Sequence, residues 1–262
     1  MRQDMFAGRA VMVTGASKGI GFACAQAFAG AGAAVALVSR SRENLDAALA
    51  RLGQLAKPAV AIAADLRVAK EAARAVDEAE AAIGPLDVLV NSAGAAKRYV
   101  PAELDAQAWR DAMDAKFFSY IFPTDIVVKR MAARGRGAIV NIIGMGGKVA
   151  QGPHLAGGSA NAALMLATAG LAAVYGPQGV RVNGINPGGT LTGRVQEGLN
   201  VESRMTGVAT EELLARAQAK VPLQRLATPE EIAKVALFLA SDDASYVTGA
   251  LIPMDGGAAS VI

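Results

Sequence analysis

The glycine-rich segment near the N-terminus constrains the fold of this chain more than any other feature. Residues 10–14 are small, apolar or β-branched, and Thr14-Gly15-Ala16-Ser17-Lys18-Gly19-Ile20-Gly21 leads from them into an alanine-rich stretch. Glycines allow a tight turn and a close approach of the backbone to a phosphate, and a helix N-terminus presents free N–H groups to it. A strand, this loop and a helix in that order therefore predict a dinucleotide-binding site.

The same alternation of short apolar runs and longer alanine-rich stretches continues along all 262 residues. We predict strands over residues 10–14, 33–39, 60–64, 88–91, 138–143, 180–185 and 250–254. We predict helices over residues 20–29, 43–52, 68–82, 106–133, 159–175 and 230–240. Nearly continuous apolar strands indicate a parallel sheet with helices on both faces. The predicted class is α/β: a single-domain Rossmann fold over 1–262, with a doubly wound parallel sheet of about seven strands.

The composition excludes several classes of protein. The chain is 53% hydrophobic, which argues against disorder, and its net charge of +3 is scattered, so we expect no nucleic-acid partner. Residues 1–8 lack the apolar core of a signal peptide, and the longest stretch of low polarity, 162–175, is shorter than the roughly 20 residues that span a bilayer. A single cysteine, Cys24, cannot form an internal disulfide. We expect a soluble, cytoplasmic protein with no membrane contact and no metal site.

Two segments are predicted to act outside the core. Residues 192–220 follow the strand at 180–185, and ligands bind beyond the carboxyl ends of the strands in such sheets, so we predict a substrate lid there. Residues 159–175 are small and apolar on nearly every side of the predicted helix, which is typical of a helix buried on more than one face. One face can pack on the sheet and another on a second copy, so we expect a homo-oligomer, either a dimer or a tetramer.

The end of the second predicted strand indicates which dinucleotide binds. A site for NAD often has an acidic residue there, which accepts a hydrogen bond from the ribose 2′-hydroxyl, whereas this chain has Val38-Ser39-Arg40. Arg40, together with Lys18 of the glycine-rich loop, suits a 2′-phosphate by charge and by hydrogen bonding. NADP(H) is therefore favoured over NAD(H), with two solvated surface cations as the alternative interpretation.

Motifs along the whole chain resemble those of the short-chain dehydrogenase/reductase family. Residues 14–21 fit its TGxxxGxG motif, 65–66 its adenine-binding acid, 91–94 its NNAG motif, and 186–192 the Pro-Gly segment with the threonine that contacts the nicotinamide end. The segments 247–249 and 255–257 match its usual C-terminal region. Together with the two cations, the resemblance implies that the cofactor is bound by Thr14, Gly15, Ser17, Lys18, Gly19, Ile20, Gly21, Arg40, Asp65, Leu66, Asn91, Ala93, Gly94, Pro187, Gly188, Thr190 and Thr192.

The positions that carry catalysis in this family hold other residues here. Family members use a tyrosine as general acid or base, a lysine that depresses its pKa and holds the ribose, a serine that hydrogen-bonds the substrate oxygen, and a supporting asparagine. In register with that pattern, the serine and tyrosine positions are Gly144 and Gly157, the lysine position is Asn161 and the asparagine position is Lys116. Glycine supplies neither an acid nor a hydroxyl, so the usual mechanism cannot operate with these residues.

Three residues are candidates for a replacement catalytic group. Lys116 stands where the family has asparagine, and Asn161 stands where the family has lysine. If the two positions lie close together, Lys116 supplies a cation to the region that the family lysine occupies. His154, the single histidine, precedes the lost tyrosine by three residues, and an imidazole titrates near neutral pH. The alternatives are that Lys116 only fills space or reaches solvent and that His154 is merely exposed.

Three functions remain open from the sequence. The first is an NADP(H)-dependent oxidoreductase of a small molecule with a relocated proton donor, and this one is favoured. The second is a non-redox enzyme on the same scaffold, and the third is a catalytically inactive, cofactor-binding subunit. Glycines at 144, 146, 147, 157 and 158 also predict a wider pocket beside the nicotinamide.

Overall fold

One parallel sheet forms the centre of this computed structural model, which describes residues 4–53, 58–94, 97–99, 101–150 and 152–259. Its described strands are β1 (Ala10–Thr14), β2 (Ala34–Ser39), β3 (Ala59–Ala63), β4 (Val88–Asn91), β5 (Gly137–Ile142), β6 (Val180–Pro187) and β7 (Leu251–Met254). They lie in the order β3-β2-β1-β4-β5-β6-β7, and all neighbours are parallel. The order reverses between β1 and β4, which is where ligands bind in doubly wound sheets.

Helices connect these strands and cover both faces of the sheet. Within the described residues they are α1 (Gly19–Gly30), α2 (Arg42–Leu52), α3 (Ala69–Ile83), α4 (Ala106–Ala112), α5 (Ser119–Ala133), α6 (Leu155–Tyr175), α7 (Gly193–Thr206), α8 (Thr210–Ala219) and α9 (Pro229–Ala240). The helices α7 and α8 occupy the segment predicted as a lid.

Each face of the sheet has its own apolar core because side chains alternate along a strand. On one face Val11 of β1 belongs to a buried cluster with Phe28 of α1 and Leu237 of α9. On the other face Met12, the next residue of β1, belongs to a cluster with Val127 of α5. The predicted α/β class and doubly wound parallel sheet are therefore confirmed.

Two of the predicted helices are interrupted or begin several residues away from the predicted bound, whereas the others agree to within one residue. The helix predicted over 106–133 contains a π-helical segment, Met113–Phe118, between α4 and α5. Segments of this kind are rare and occur frequently at functional sites. The helix α6 begins at Leu155 rather than at residue 159, so it includes Gly157 and Gly158 in its first turns. Glycine disfavours helices, but the loop after β5 packs against the start of α6 and overrides that preference.

The helix α6 corrects one expectation about apolar length. Counted with its flanking turns, the helical run Gly152–Gln178 has 27 residues and is long and apolar enough to cross a membrane by length and composition alone. Leu164 and Met165 are buried toward the sheet, as in the core helix of a globular protein. Its outer face is open in the single chain: Leu166 is 77% exposed and Val174 is 62% exposed.

Candidate functional site

The glycines of the loop between β1 and α1 serve two purposes. Gly15 and Gly19 have φ angles of +65° and +57°, a conformation that other residues avoid. A Cβ atom on Gly15 would lie 2.6 Å from the carbonyl oxygen of Ser92, and one on Gly21 would overlap the carbonyl oxygen of Gly15. A Cβ atom on Gly19 would have Cγ2 of Thr192 as its nearest neighbour, at 3.5 Å. Gly15 and Gly21 therefore close the loop on the sheet, while Gly19 leaves room beside the helix.

The N-terminus of α1 is suited to an anion. The helix begins at Gly19, and its first turn has no acidic side chain. Free N–H groups and the positive end of the helix dipole point out of this end. Lys18, at the N-cap, is exposed, and Ser17 and Ile20 are half-buried beside it. Ser17, Lys18 and Ile20 thus lie at the N-terminus of α1, where an anion would bind.

A second group of polar residues lies where β2 ends. Ser39 is the last residue of β2, and its Oγ is buried with no hydrogen-bond partner among the described residues. Arg40 follows and is exposed, and in the part of the chain that the structure describes neither Arg40 nor Lys18 forms an ion pair. A phosphate could accept a hydrogen bond from the buried hydroxyl of Ser39 and pair with the cations Arg40 and Lys18.

Asp65, which the resemblance assigns to the adenine, already has a partner. Nε of Arg67 donates to Oδ1 of Asp65 at 2.9 Å, and this hydrogen bond holds the pKa of the carboxyl below its usual value, with a smaller contribution from the charge of Arg40. The Asp65 side chain remains 31% exposed, and Leu66 beside it is buried. Asp65, Arg67 and Arg40 thus form one charged group at the ends of β2 and β3.

Two predicted cofactor residues serve mainly to hold the framework. Thr14 is fully buried, and its Oγ1 accepts hydrogen bonds from the backbone N–H groups of Ser92 and Ala93 at 3.0 and 3.1 Å. Asn91 is also fully buried, and its Nδ2 donates to Oδ1 of Asn141 at 2.9 Å. These bonds fix the end of β4 against β1 and β5. The backbone after β4 also packs closely, because a Cβ on Gly94 would overlap the carbonyl oxygen of Ala115.

The segment after β6 crosses the carboxyl edge of the sheet. Gly188 donates its N–H to the carbonyl oxygen of Met254 at 3.0 Å, and Thr190 is buried. Thr192 reaches the loop before α1, where its Cγ2 lies near Gly19. The Pro187–Thr192 segment and the glycine-rich loop are therefore adjacent. A groove of about 260 Å³ continues from here along α7, lined by Leu191, Thr192, Gly193, Val195, Gln196, Leu199 and Leu214.

The structure brings His154 and Asn161 together across Gly146. A Cβ on Gly146 would lie 2.7 Å from Cδ2 of His154, 3.3 Å from its Nε2 and 3.4 Å from Nδ2 of Asn161. His154 is half-buried at the start of α6, whereas Asn161 is only 4% exposed. The two side chains thus meet at the carboxyl end of β5, one nearer to solvent and the other inside.

Lys116 lies deeper and has a different set of neighbours. Its Nζ donates to the carbonyl oxygen of Ile142 at 3.0 Å and to the Tyr120 hydroxyl at 2.8 Å, and the Tyr120 hydroxyl donates to the same carbonyl at 2.6 Å. Ile142 lies two residues before Gly144, so Lys116 supports the loop at the end of β5. Lys116 is 7% exposed and Tyr120 is 1% exposed. The alternative in which Lys116 reaches solvent is wrong.

The expectation of a wider pocket is wrong at four of the five glycines. A Cβ on Gly147 would lie 2.7 Å from Cε of Met165 and 2.8 Å from the backbone nitrogen of Ala162. One on Gly158 would lie 2.7 Å from the carbonyl oxygen of Gly146, and one on Gly144 would lie 3.3 Å from Nδ2 of Asn161. His154 takes the space at Gly146, as described above. The loop packs directly against α6 because no side chains separate them, and the space is filled.

Sequence reasoning missed three residues of this region. Ser39 gives no signal beyond its place at the end of a strand, and Tyr120 gives none beyond being an aromatic residue in a helix. Asn186, the last residue before Pro187, is fully buried, and neither of its side-chain polar atoms has a partner among the described residues. The resemblance placed Asn186 at the start of the Pro-Gly segment but gave its side chain no role of its own.

Comparisons with known proteins agree with this geometry. A family model described as enoyl-(acyl carrier protein) reductase matches residues 15–259. The chain is 38% identical over 252 residues to galactitol 2-dehydrogenase (L-tagatose-forming) from Cereibacter sphaeroides, which covers 95% of this chain and 94% of the relative.

Two solved structures share the fold over nearly their full length. L-sorbose reductase from Gluconobacter frateurii, in complex with NADPH and L-sorbose, has a TM-score of 0.94 and 28% identity, and the match covers 100% of both chains. An NADPH-bound short chain oxidoreductase from Pseudomonas aeruginosa PAO1, described as containing an atypical catalytic center, has a TM-score of 0.88 and 32% identity, with 98% and 99% covered. The fold, the order of the motifs and these matches lead to one assignment: the chain belongs to the short-chain dehydrogenase/reductase family.

Proposed function

We propose that this protein is an NADP(H)-dependent oxidoreductase that interconverts a hydroxyl and a carbonyl group of a small molecule, with an atypical active site. Similarity to a galactitol dehydrogenase and to an L-sorbose reductase supports the reaction type and a substrate with several hydroxyl groups. The exposed outer part of the groove along α7 leaves room for such a substrate beside the Pro187–Thr192 segment.

One observation carries the choice of NADP(H). At the end of β2 the chain has the buried, unpartnered hydroxyl of Ser39 followed by the exposed guanidinium of Arg40, and no carboxylate. A 2′-phosphate accepts hydrogen bonds from a hydroxyl and from a guanidinium, and its charge favours the cation. A ribose 2′-hydroxyl would instead call for an acidic acceptor at this point. NADPH in the two solved relatives supports the same choice.

The remaining residues fit the other parts of the dinucleotide. The N-terminus of α1 and Gly19 would hold the pyrophosphate, Asp65 and Leu66 would border the adenine, and the Pro187–Thr192 segment would hold the nicotinamide end. The bound cofactor would supply or accept a hydride. The protein's own residues then have to orient the substrate, exclude water and move one proton.

We assign the proton transfer to His154. Reduction of a carbonyl group leaves an oxygen that needs one proton, and Gly144 and Gly157 have no group to donate it. The ammonium of Lys116 is directed to the carbonyl of Ile142 and to Tyr120, which suits a positioning role. The imidazole of His154 lies at the half-exposed edge of the site beside Asn161. One solved relative is described as containing an atypical catalytic center, which supports an atypical active site in a member of this family.

Binding of the two cofactors tests the proposal without a substrate. Titration of the protein with NADPH and with NADH, followed by cofactor fluorescence, should show tighter binding of NADPH. Arg40→Ala should weaken NADPH binding by roughly 10- to 150-fold, because a hydrogen bond to a charged group contributes about 1.5–3 kcal/mol, and should leave NADH binding unchanged. Arg42→Ala is the matched control, since its guanidinium is bonded to Asp46. Equal binding of NADPH and NADH would refute the assignment.

A second measurement tests His154. With NADPH and a ketose such as L-sorbose, His154→Ala should lower kcat by about 10²–10⁴-fold, the usual contribution of a positioned acid. Ser159→Ala is the control, because its hydroxyl is exposed and bonded within its own helix to the carbonyl of Leu155. An unchanged rate in His154→Ala would exclude His154 as the proton donor.

The second candidate is a catalytically inactive, cofactor-binding subunit. The glycines at positions 144 and 157 favour it, because they remove two functional groups that family members use. This function predicts tight NADPH binding with no oxidation of NADPH by any carbonyl compound, and association with an active relative.

We further propose that the protein is a cytoplasmic homo-oligomer and that 192–220 act as a substrate lid. The exposed outer face of α6, with Leu166 and Val174, supports the first, and the position of α7 beside the groove supports the second. Leu166→Glu should shift the protein to the mass of a monomer in light scattering after size exclusion. A monomeric wild-type protein would refute the oligomer.

A further inference from the structure

A long part of the chain around the candidate site has no acidic residue. Between Asp125 and Glu197, over residues 126–196, there is neither aspartate nor glutamate, although 23 of the 262 residues are acidic. This part contains β5, α6 and β6 with the loops at their carboxyl ends. Residues 88–102, which contain β4 and the segment after it, have no acidic residue either. The segments that border the site beyond β4, β5 and β6 therefore contribute no carboxylate, and their charged groups are cations.

Three of these cations are exposed at the edge of the site, and we call them the basic rim. Lys97 and Arg98 follow β4, and Lys148 lies in the loop after β5. Within the described ranges of the chain, none of the three forms an ion pair. Nζ of Lys97 lies 5.1 Å from the centre of the Tyr99 ring, a cation–π contact that holds this ammonium close to its own segment.

A backbone hydrogen bond joins the first two cations of the basic rim to the proposed proton donor. The N–H of Tyr99 donates to the carbonyl oxygen of Pro153 at 3.1 Å, and His154 is the next residue. Since Arg98 directly precedes Tyr99, the segment 97–99 lies beside the turn that carries His154.

Lys148 approaches the same turn from the loop after β5. It follows two residues after Gly146, and a Cβ on Gly146 would lie 2.7 Å from Cδ2 of His154. The N–H of Lys148 donates to the carbonyl oxygen of Met145 at 2.9 Å, which keeps the loop compact at this point. The basic rim therefore borders His154 from two segments that are far apart in sequence.

Neighbouring carboxylates do not neutralise the basic rim. The next acidic residues after the segment 97–99 are Glu103 and Asp105, and Asp105 already accepts a hydrogen bond from the N–H of Ala108 at 2.7 Å as the N-cap of α4. The helix α7, beside the groove, has two arginines and two glutamates in its sequence, so its charges balance. The charge of these segments together is positive even with Glu103 included.

The phosphates of the proposed cofactor do not account for the basic rim. They are assigned to the N-terminus of α1 and to Ser39 and Arg40 at the end of β2, whereas the basic rim follows β4 and β5. In the sheet, β4 and β5 lie on the opposite side of β1 from β2. The nicotinamide ring, which is assigned to this half of the site, carries no negative charge. Cations next to the proton donor therefore fit the substrate rather than the cofactor.

We propose that the substrate is an anion whose carboxylate or phosphate group binds to the basic rim, on the solvent side of His154, while its carbonyl group lies at His154. Lysine and arginine recognise both groups by charge and by hydrogen bonding. This inference rests on the proposed function and narrows its substrate class from a small molecule with several hydroxyl groups to one that also carries a negative charge.

Two pairs of ketoses test the charge of the substrate. L-sorbose is compared with 5-keto-D-gluconate, which is the same ketose with a terminal carboxylate, and D-fructose is compared with D-fructose 6-phosphate, all with saturating NADPH. The value of kcat/KM should be higher for the anionic member of at least one pair. The pair that shows this preference identifies the group, carboxylate or phosphate, that the protein binds.

Variants of the basic rim test where the charge is recognised. Lys97→Gln, Arg98→Gln and Lys148→Gln should each lower the ratio of kcat/KM between the anionic and the neutral ketose by about 2- to 5-fold, as expected for an exposed ion pair, and the triple variant by roughly 10- to 100-fold. Higher ionic strength should lower the same ratio in the wild-type protein but not in the triple variant. Lys234→Gln is the matched control and should leave the ratio unchanged, because Lys234 is an exposed lysine of α9, on the other face of the sheet from α6.

The outcomes separate this inference from the function on which it rests. If neutral ketoses are reduced as well as the anionic ones, or if the triple variant keeps the preference, the inference is overturned and the proposed function stands. If none of the four ketoses oxidises NADPH, the proposed function fails for this class of substrate. Binding of acetate and of inorganic phosphate to the NADPH complex, observed by NMR of these two ions, then decides the basic rim alone. Binding that the triple variant loses supports an anion site there, and binding that it keeps, or no binding, overturns the inference.

Discussion

The contact between the loop after β5 and α6 gives a quantitative prediction for Gly147→Ala. The added Cβ would lie 2.8 Å from the backbone nitrogen of Ala162 and 2.9 Å from the carbonyl carbon of Asn161. Backbone atoms inside a helix cannot turn away, so the loop has to retreat by roughly half an ångström to reach ordinary contact. Overpacking of this kind costs about 1–3 kcal/mol, which corresponds to a loss of about 2–12 °C in melting temperature for a chain of this size.

The matched control is Gly176→Ala at the other end of α6. Gly176, like Gly147, belongs to a short 3₁₀ turn. It has helical dihedral angles of −54° and −44°, and no atom lies within 4 Å of the position of an added Cβ. Alanine there should be neutral or stabilise by up to about 1 kcal/mol, because it restricts the unfolded chain. The difference between the two variants therefore isolates the contact with α6 from the general effect of replacing glycine.

Urea unfolding followed by circular dichroism measures both free energies of unfolding, and NADPH titration measures the consequence at the site. Since Gly147 follows Gly146, against which His154 and Asn161 pack, the retreat should also weaken NADPH binding. Equal stability of Gly147→Ala and Gly176→Ala would show that the loop does not rest on α6, and the account of the filled pocket would then be wrong.

Four further predictions concern stability and reactivity. Thr228→Ala should cost about 1 kcal/mol, measured by urea unfolding, because Thr228 and Glu231 form a capping box at the start of α9. Arg225 holds the pKa of Glu231 at about 2, below its ordinary value of 4.5. The difference in free energy of unfolding between the wild-type protein and Glu231→Gln should therefore be largest above pH 4.5 and vanish toward pH 2. A difference that does not change with pH would contradict this. Tyr120→Phe should lower stability by about 1–3 kcal/mol, because a buried carbonyl and an ammonium lose a partner, whereas the fully exposed Tyr246→Phe should change nothing. Burial raises the pKa of Cys24 to about 12, so its thiol should react with a disulfide reagent only after unfolding.

The fold was largely predictable because its information is local. Each strand is a short apolar run, and the observed bounds lie within two residues of the predicted ones, the largest difference being the extension of β6 to Pro187. The start of α6 was not predictable in the same way. Gly157 and Gly158 argue locally against a helix, and the packing of Gly158 against Gly146, twelve residues earlier, is not visible in the local pattern.

The candidate site was predictable in its motifs but not in its interior. The Pro187–Thr192 segment and the glycine-rich loop both follow predicted parallel strands, so their meeting at one edge of the sheet follows from the fold. The sequence did not show that Lys116 turns toward the carbonyl of Ile142, because that depends on the π-helical segment and on the position of β5. Nor could it show that Asn186 lacks a partner, because a missing contact is a property of the whole packed structure.

The backbone at Gly144 bears on the proposed atypical active site. Its φ of +123° and ψ of 148° belong to a region that is almost restricted to glycine, and a Cβ there would lie 3.3 Å from Nδ2 of Asn161. The serine that other family members have at this position therefore cannot be restored by substitution alone. We expect Gly144→Ser to lose about 1–3 kcal/mol in urea unfolding and to gain no activity, even combined with Gly157→Tyr and Asn161→Lys. Wild-type stability in Gly144→Ser would instead mean that the loop adapts freely and that only side chains separate this chain from its relatives.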